Sequence, residues 1–230
     1  MRSLFFIPAR GGSKRLPGKN VMLMAGLPLI QYTIAFAKYC RADKIIVSTD
    51  DEEIANVAVK CGAEALMRPV ELSSDTAKTA AAAQHCLFEM TSAGFSTDVF
   101  VTLQPTNPLR PQDLYTQALA RFSHECDSVI SVTVNKHKLG MVENGFFTAT
   151  SYSPGMRSQD LSSLYYENGL IYLSNPSKVI EGELFGSKIK TIAVPELYSI
   201  ADIDERIDFK LAELIYQNNI GLFEYLNDFL

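Results

Sequence analysis

Apolar residues along the chain fall in short runs, broken by polar stretches that carry Gly and Pro. Leu4–Pro8 is such a run and predicts a short strand buried on both faces. After a loop over Ala9–Asn20, Pro28–Cys40 carries Leu29, Thr33, Phe36, Ala37 and Cys40 near the helical period, with Pro28 suited to a first turn. Lys44–Ser48 predicts a second strand, Asp51–Cys61 a helix that Gly62 ends, and Glu64–Met67 a third, short strand. The alternation continues with an Ala-rich helix over Thr76–Ala93 and a strand over Asp98–Leu103, cut off by Gln104-Pro105-Thr106-Asn107-Pro108. A helix over Pro111–His124 and a strand over Ser128–Val134 follow. Gly169–Ser174 and Lys188–Pro195 read as later strands, and Ile203–Gln217 as an amphipathic C-terminal helix.

Strands alternating with helices of this length predict an α/β fold, a mostly parallel sheet flanked by helices, as one domain over residues 1–230. Residues 135–172 break the pattern. Gly, Ser, Tyr and Phe accumulate there, and the segment reads as an excursion of hairpin and loop. Its apolar Leu139, Met141, Phe146, Phe147, Tyr152 and Met156 would be exposed on a monomer, which marks an oligomer contact.

A hydrophobic content of 47% in 230 residues is enough for a substantial core and excludes a disordered chain. No apolar run reaches the length of a membrane span or of a signal-peptide core, so a cytoplasmic protein is expected. Four cysteines without a CxxC pair, and three histidines, give no structural zinc pattern. The net charge of −5 argues against a nucleic-acid coat. Residues 1–42 nevertheless hold seven Lys and Arg and no acid, a polarity that fits a small anionic ligand.

Much of that charge lies in the loop after the first strand, Pro8-Ala9-Arg10-Gly11-Gly12-Ser13-Lys14-Arg15-Leu16-Pro17-Gly18-Lys19-Asn20. Gly11 and Gly12 allow backbone N–H groups to approach a phosphate, and Arg10, Lys14, Arg15 and Lys19 match a triphosphate electrostatically. An open α/β sheet puts such a loop at the ligand-binding edge. Two familiar phosphate loops are excluded. Gly12 and Gly18 are separated by five residues and Lys19 precedes Asn20, while Gly11 and Gly12 are adjacent, so neither GxxxxGK[ST] nor GxGxxG is present. By itself the loop reads equally well as a solvated basic surface.

The string IPARGGSK-x-x-P-GKN resembles the N-terminal signature of the cytidylyltransferases that activate acidic sugars, above all the CMP-N-acetylneuraminate (acylneuraminate) synthetase family. Further segments carry the same resemblance. They are Ile45-Ile46-Val47-Ser48-Thr49-Asp50, Arg68-Pro69-x-Glu71-Leu72-x-Ser74-Asp75-Thr76 and Leu103-Gln104-Pro105-Thr106-x-Pro108-Leu109-Arg110, then Asn168-Gly169-x-Ile171-Tyr172 and Ser199-Ile200-x-Asp202-Ile203-Asp204. The resemblance as a whole spans roughly Ile7 to Asp208.

The resemblance implies a nucleotidyltransferase fold of the glycosyltransferase-A-like type. It also implies attack by the anomeric hydroxyl of a nine-carbon sugar acid on the α-phosphate of CTP, with Mg²⁺ as cofactor and release of pyrophosphate. It assigns the triphosphate to Ala9, Arg10, Gly11, Gly12, Ser13, Lys14 and Lys19, with Lys19, Arg10 and Lys14 as the catalytic cations and Lys19 at the α-phosphate. Asn20, Arg68 and Thr79 fall to the nucleoside. Gln104, Arg157, Tyr172 and Phe185 fall to the sugar, and 135–172 to a homodimer contact. Asp202 and Asp204 project to one face of an extended segment and are the Mg²⁺ ligands; spacing alone allows a helix cap instead. Ser74 or Asp75 could cap the following helix, and Asp50 could cap the helix after it or orient the cationic loop. Tyr172 and Phe185 could equally be core aromatics.

Departures gather on the sugar side. Tyr166 stands where the family carries Arg in YRxNG, Arg157-Ser158-Gln159 lacks a second Arg, and Lys136 and Lys138 flank His137 without the usual His-Pro step. Related acids such as legionaminate or pseudaminate therefore stand beside N-acetylneuraminate. Two other readings remain: a CMP-KDO synthetase, which Arg15-Leu16-Pro17-Gly18-Lys19 also resembles, and a non-catalytic nucleotide-binding module on the same fold.

Overall fold

The computed structural model describes residues 1–74 and 77–230. Its centre is a seven-stranded sheet. In chain order the strands of the structure are β1 (Ser3–Pro8), β2 (Leu23–Met24), β3 (Leu27–Pro28), β4 (Lys44–Thr49), β5 (Glu64–Met67) and β6 (Val99–Thr102), then β7 (Ser128–Asn135), β8 (Gly140–Glu143), β9 (Phe146–Ala149), β10 (Leu164–Ser174) and β11 (Ile189–Ala193). The large sheet runs β11-β7-β10-β6-β1-β4-β5, while β2–β3 and β8–β9 form two-stranded ribbons. Only β10 is antiparallel to its neighbours in the large sheet.

The helices are α1 (Leu29–Tyr39), α2 (Glu52–Lys60), α3 (Thr79–Ser92), α4 (Leu114–Arg121), α5 (Pro176–Ile180), α6 (Glu196–Ser199) and α7 (Arg206–Asn218). The run Leu4-Phe5-Phe6-Ile7 shows why the sheet is covered twice. Phe5 and Ile7 pack with α1, α2, α4 and α7, whereas Leu4 and Phe6 pack with α3 and α5. Side chains of a strand alternate between faces, so a continuous apolar run needs apolar partners on both. No helix among the described residues is long and apolar enough to cross a membrane.

Several boundaries differ from the sequence reading. The helix expected over Pro111–His124 is confined to Leu114–Arg121, and the C-terminal helix begins at Arg206 rather than Ile203. Glu205 caps α7 in a reciprocal box with Asp208, so Asp202 and Asp204 are not its caps. Asp51, not Asp50, caps α2 by accepting the Glu53 and Ile54 N–H groups. The helix expected from Thr76 begins at Thr79 with Lys78 at its N-cap, so Ser74 does not cap it; Asp75 and Thr76 lie outside the described residues.

The excursion is shorter than 135–172. The β8–β9 hairpin lies within it, but β10 rejoins the sheet at Leu164. On β10, Glu167 pairs with Val132 and Tyr172 with Ile130, so five steps stand against two and the strand bulges. Asn168 braces the bulge, accepting from the Ser131 hydroxyl and donating to Thr133 Oγ1 at 3.0 Å. Periodicity cannot register a strand that loses its alternation midway, which is why the front half of β10 read as loop.

Candidate active site

Loops at the carboxyl ends of the parallel strands enclose a cavity of about 600 Å³. Among the described residues six cations line it, Arg10, Lys14, Arg15, Lys19, Arg68 and Lys78, against two carboxylates, Asp202 and Asp204. Ser13, Asn20, Thr79, Gln104 and Thr106 complete much of the polar wall.

The cationic loop is held from below. The Gly11 N–H donates to Asp50 Oδ1 at 3.0 Å, and the Asn20 amide donates to the Arg10 carbonyl at 3.1 Å. A Cβ on Gly11 would stand 2.6 Å from Asp51 Oδ2, so the residue is small to let the loop close onto Asp50-Asp51. Ala9, Gly11 and Gly12 stand behind the side chains that line the cavity rather than among them. The Ala9 N–H is spent on the Ser48 carbonyl and the Gly11 N–H on Asp50, so side chains supply much of the positive wall.

Lys19 reaches across the cavity floor. Its Nζ donates to the Ile203 carbonyl at 2.8 Å and to Asp204 Oδ1 at 3.1 Å, and Arg15 Nη2 meets Asp204 Oδ2 at 2.6 Å. Between the two acids Ile203 is buried in the core and its N–H donates to the Thr106 carbonyl at 2.9 Å. The alternation turns Asp202 and Asp204 to the cavity together. Asp202 accepts from Asn107 Nδ2 at 3.1 Å and makes no ion pair among the described residues. Although it faces the cavity, the surrounding protein desolvates it and pushes its pKa up, and the Asp204 charge adds to the shift. A divalent cation would relieve that repulsion. Two carboxylates open to a cavity suit a hard ion that fills its shell with phosphate oxygens and water.

Arg68 lines the cavity, but it spends donors on the carbonyls of Ser48 and Leu72, and burial lowers its pKa. It props the loop that carries Ser74, whose carbonyl accepts from Arg10 Nη1 at 3.2 Å.

The sugar-side expectations divide. Gln104 lines the cavity. Tyr172 and Phe185 do not; their rings pack edge to face, 5.0 Å between centroids, against Ile130 and Val132. Tyr172 is buried and Phe185 half-buried, and Tyr172 lies near enough to the cavity for the Asp202 charge to act on it. Burial pushes the Tyr172 hydroxyl up to about 12, with the charges of Glu167 and Asp202 adding to the effect. Arg157 is exposed on the excursion in an ion pair with Asp160 and does not reach the cavity of its own chain.

Three residues with structural weight at the site had no sequence assignment. Arg15 was one of four loop cations with nothing to single it out. Asn107 filled the unassigned position of its motif. Arg110 is fully buried, donating to the carbonyls of Leu170 and Gln104, both at 2.8 Å, and to Thr33 Oγ1 at 3.0 Å. It ties the β10 bulge to the loop that presents Gln104.

A family model described as cytidylyltransferase matches residues 4–225. A CMP-N,N'-diacetyllegionaminic acid synthase of Legionella pneumophila is 34% identical over 228 residues, covering 95% of this chain and 98% of that protein. A pseudaminic acid cytidylyltransferase of Campylobacter jejuni is 32% identical over 229 residues, with 95% and 98% covered. An N-acylneuraminate cytidylyltransferase of Streptococcus agalactiae is 36% identical over 225 residues, 91% of this chain and 52% of that protein. Among solved structures, a CMP:2-keto-3-deoxy-manno-octonic acid synthetase complexed with CTP shares the fold, with a TM-score of 0.71 at 17% identity over 95% of this chain and 99% of that one. The basic loop, the paired carboxylates and a family match over nearly the whole length agree: the chain belongs to the cytidylyltransferase family, of the CMP-sialic acid synthetase type, and is a nucleotidyltransferase.

Proposed function

We propose that the enzyme transfers the cytidylyl group of CTP to the anomeric hydroxyl of a nine-carbon, sialic-type sugar acid and releases pyrophosphate. The observation that carries this reading is one cavity in which, among the described residues, six cations face two carboxylates, with Gln104 also in its lining. The relatives named for legionaminic, pseudaminic and acylneuraminic acids support the substrate class.

Arg10, Ser13 and Lys14 bind the triphosphate, and Lys19 neutralises charge at the α-phosphate. Nucleotidyl transfer needs positioning and electrostatic stabilisation more than covalent help. The sugar oxygen bonds to the α-phosphorus as the bond to the bridging oxygen breaks, with one inversion, and the electron pair leaves on pyrophosphate. Asn20, Arg68 and Thr79 border the nucleoside, and Gln104 binds sugar hydroxyls. Asp202 and Asp204 would hold Mg²⁺, which would neutralise phosphate charge and make the attacking hydroxyl more acidic. Arg15, which contacts Asp204 here, lines the same cavity and would be available to the phosphates if Asp204 held the metal.

The exposed Met141, Val142, Phe146 and Phe147 of the β8–β9 hairpin support a homodimer through this element. Sedimentation at micromolar concentration with a mass near the 25.5 kDa of one chain would remove that part. The activity is tested by incubating the enzyme with CTP, Mg²⁺ and a panel of N-acetylneuraminate, legionaminate, pseudaminate and KDO. Pyrophosphate release with a nine-carbon acid is expected. Turnover of KDO alone would favour the eight-carbon reading, and tight CTP binding without release from any acid would sink the transferase reading.

A further inference from the structure

We infer that Asn107 is a positioning residue that holds the Asp202 carboxylate in the orientation in which it meets the divalent cation. This rests on the metal–nucleotide reading above.

Asn107 is fully buried and lies in the turn after β6, its N–H donating to the Gln104 carbonyl at 3.2 Å. Its side-chain amide donates to Asp202 Oδ1 at 3.1 Å and to Thr106 Oγ1 at 3.3 Å. The same turn accepts the Ile203 N–H through the Thr106 carbonyl, so backbone and side chain both dock the acidic segment onto it. The Asn107 Oδ1 atom is buried without a hydrogen-bond partner. An apolar residue of equal size would avoid that cost, so the amide's place in the core is explained by what its N–H groups do.

The two acids are held in different ways. Asp204 is gripped by two cations, Arg15 and Lys19, which a metal ion must compete with. Asp202 is oriented by neutral donors, the Asn107 amide together with the Thr106 hydroxyl. An amide N–H fixes the carboxylate's direction without cancelling its charge and need not leave when a cation arrives. The arrangement makes Asp202 the standing ligand and Asp204 the one recruited with the nucleotide. Gly169 on the β10 bulge closes the amide in: a Cβ there would lie 2.7 Å from Asn107 Nδ2.

The test is Mn²⁺ titration followed by the electron paramagnetic resonance signal of the free ion, with CTP present, on wild type, Asn107→Leu and Asn107→Ser. CTP binding without any divalent ion reports whether each variant keeps its site. The expected result is Mn²⁺ affinity lower by about tenfold or more in Asn107→Leu, the scale of one hydrogen bond to a charged group, with metal-free CTP binding unchanged. Asn107→Ser, too short to reach Asp202, loses affinity in the same way and carries the test should the leucine variant not fold. Mn²⁺ affinity within about twofold of wild type in a variant that still binds CTP would overturn the inference, twofold being well below one such bond. Loss of metal-free CTP binding in both variants would overturn it too, leaving Asn107 a purely structural residue. Wild type that binds no Mn²⁺ with CTP present would instead refute the metal–nucleotide reading beneath it.

Discussion

Alanine at Gly169 separates the cost of backbone strain from damage to the site. Gly169 has a φ of 72°, in the left-handed region, where a residue with a Cβ costs about 1–2 kcal/mol. In a chain of this size each kcal/mol moves Tm by about 2–4 °C, so strain alone lowers it by roughly 2–8 °C. The added Cβ also meets Asn107 Nδ2 at 2.7 Å and Gln104 Oε1 at 2.9 Å. Both atoms are ends of side chains, so they swing aside while the strand stays. Asn107 then leaves Asp202, and a hydrogen bond to a charged group is worth about 1.5–3 kcal/mol. At about 1.36 kcal/mol per factor of ten, kcat/KM falls roughly 10- to 150-fold. Gly182→Ala is the control. Its φ is 82°, but a Cβ there meets nothing nearer than Gln84 Nε2 at 3.7 Å, away from the cavity. Thermal unfolding and steady-state pyrophosphate release are measured on both. Similar Tm losses with a turnover defect only in Gly169→Ala are expected. Equal kcat/KM in the two variants would refute the reasoning.

Lys19→Ala should lower kcat by about 100-fold or more, the scale of one lost electrostatic stabiliser, with Tm little changed; a loss confined to KM would contradict its role at the reacting phosphate. Arg110→Ala leaves a void and buried acceptors on Leu170, Gln104 and Thr33, and urea unfolding should show a loss of about 3 kcal/mol or more. A loss below about 1 kcal/mol would mean that the bulge does not depend on it. Asp43 accepts from the Ser3 N–H at 2.7 Å and the Ser3 hydroxyl at 3.0 Å, which holds its carboxyl below the usual 3.8. A depressed acid stabilises the fold above its unfolded pKa, and that contribution is lost as pH falls through the folded value. The stability gap between wild type and Asp43→Asn should therefore be present at about pH 5 and close under more acid conditions; a gap constant with pH would reject the linkage.

The order of strands and helices, and the loop that carries the positive charge, could be read from the chain because both are local. A run such as Leu4–Ile7 needs only its own alternation to mark a doubly covered strand, and Asp202-Ile203-Asp204 turns two acids to one side by a period of two. Spacing alone allows those acids a helix cap instead; the structure gives that role at α7 to Glu205 and Asp208. Direction and contact were settled by residues far apart in sequence. The reversal and bulge of β10 depend on Asn168 finding Ser131 and Thr133, and on Arg110 reaching Leu170. The same packing set the Tyr172 ring against Phe185, spent the Gly11 N–H on Asp50 and brought Asn107 to Asp202. Hydrogen bonds and buried charges are decided by which groups meet after the chain has collapsed. Spacing along the chain carries no record of them.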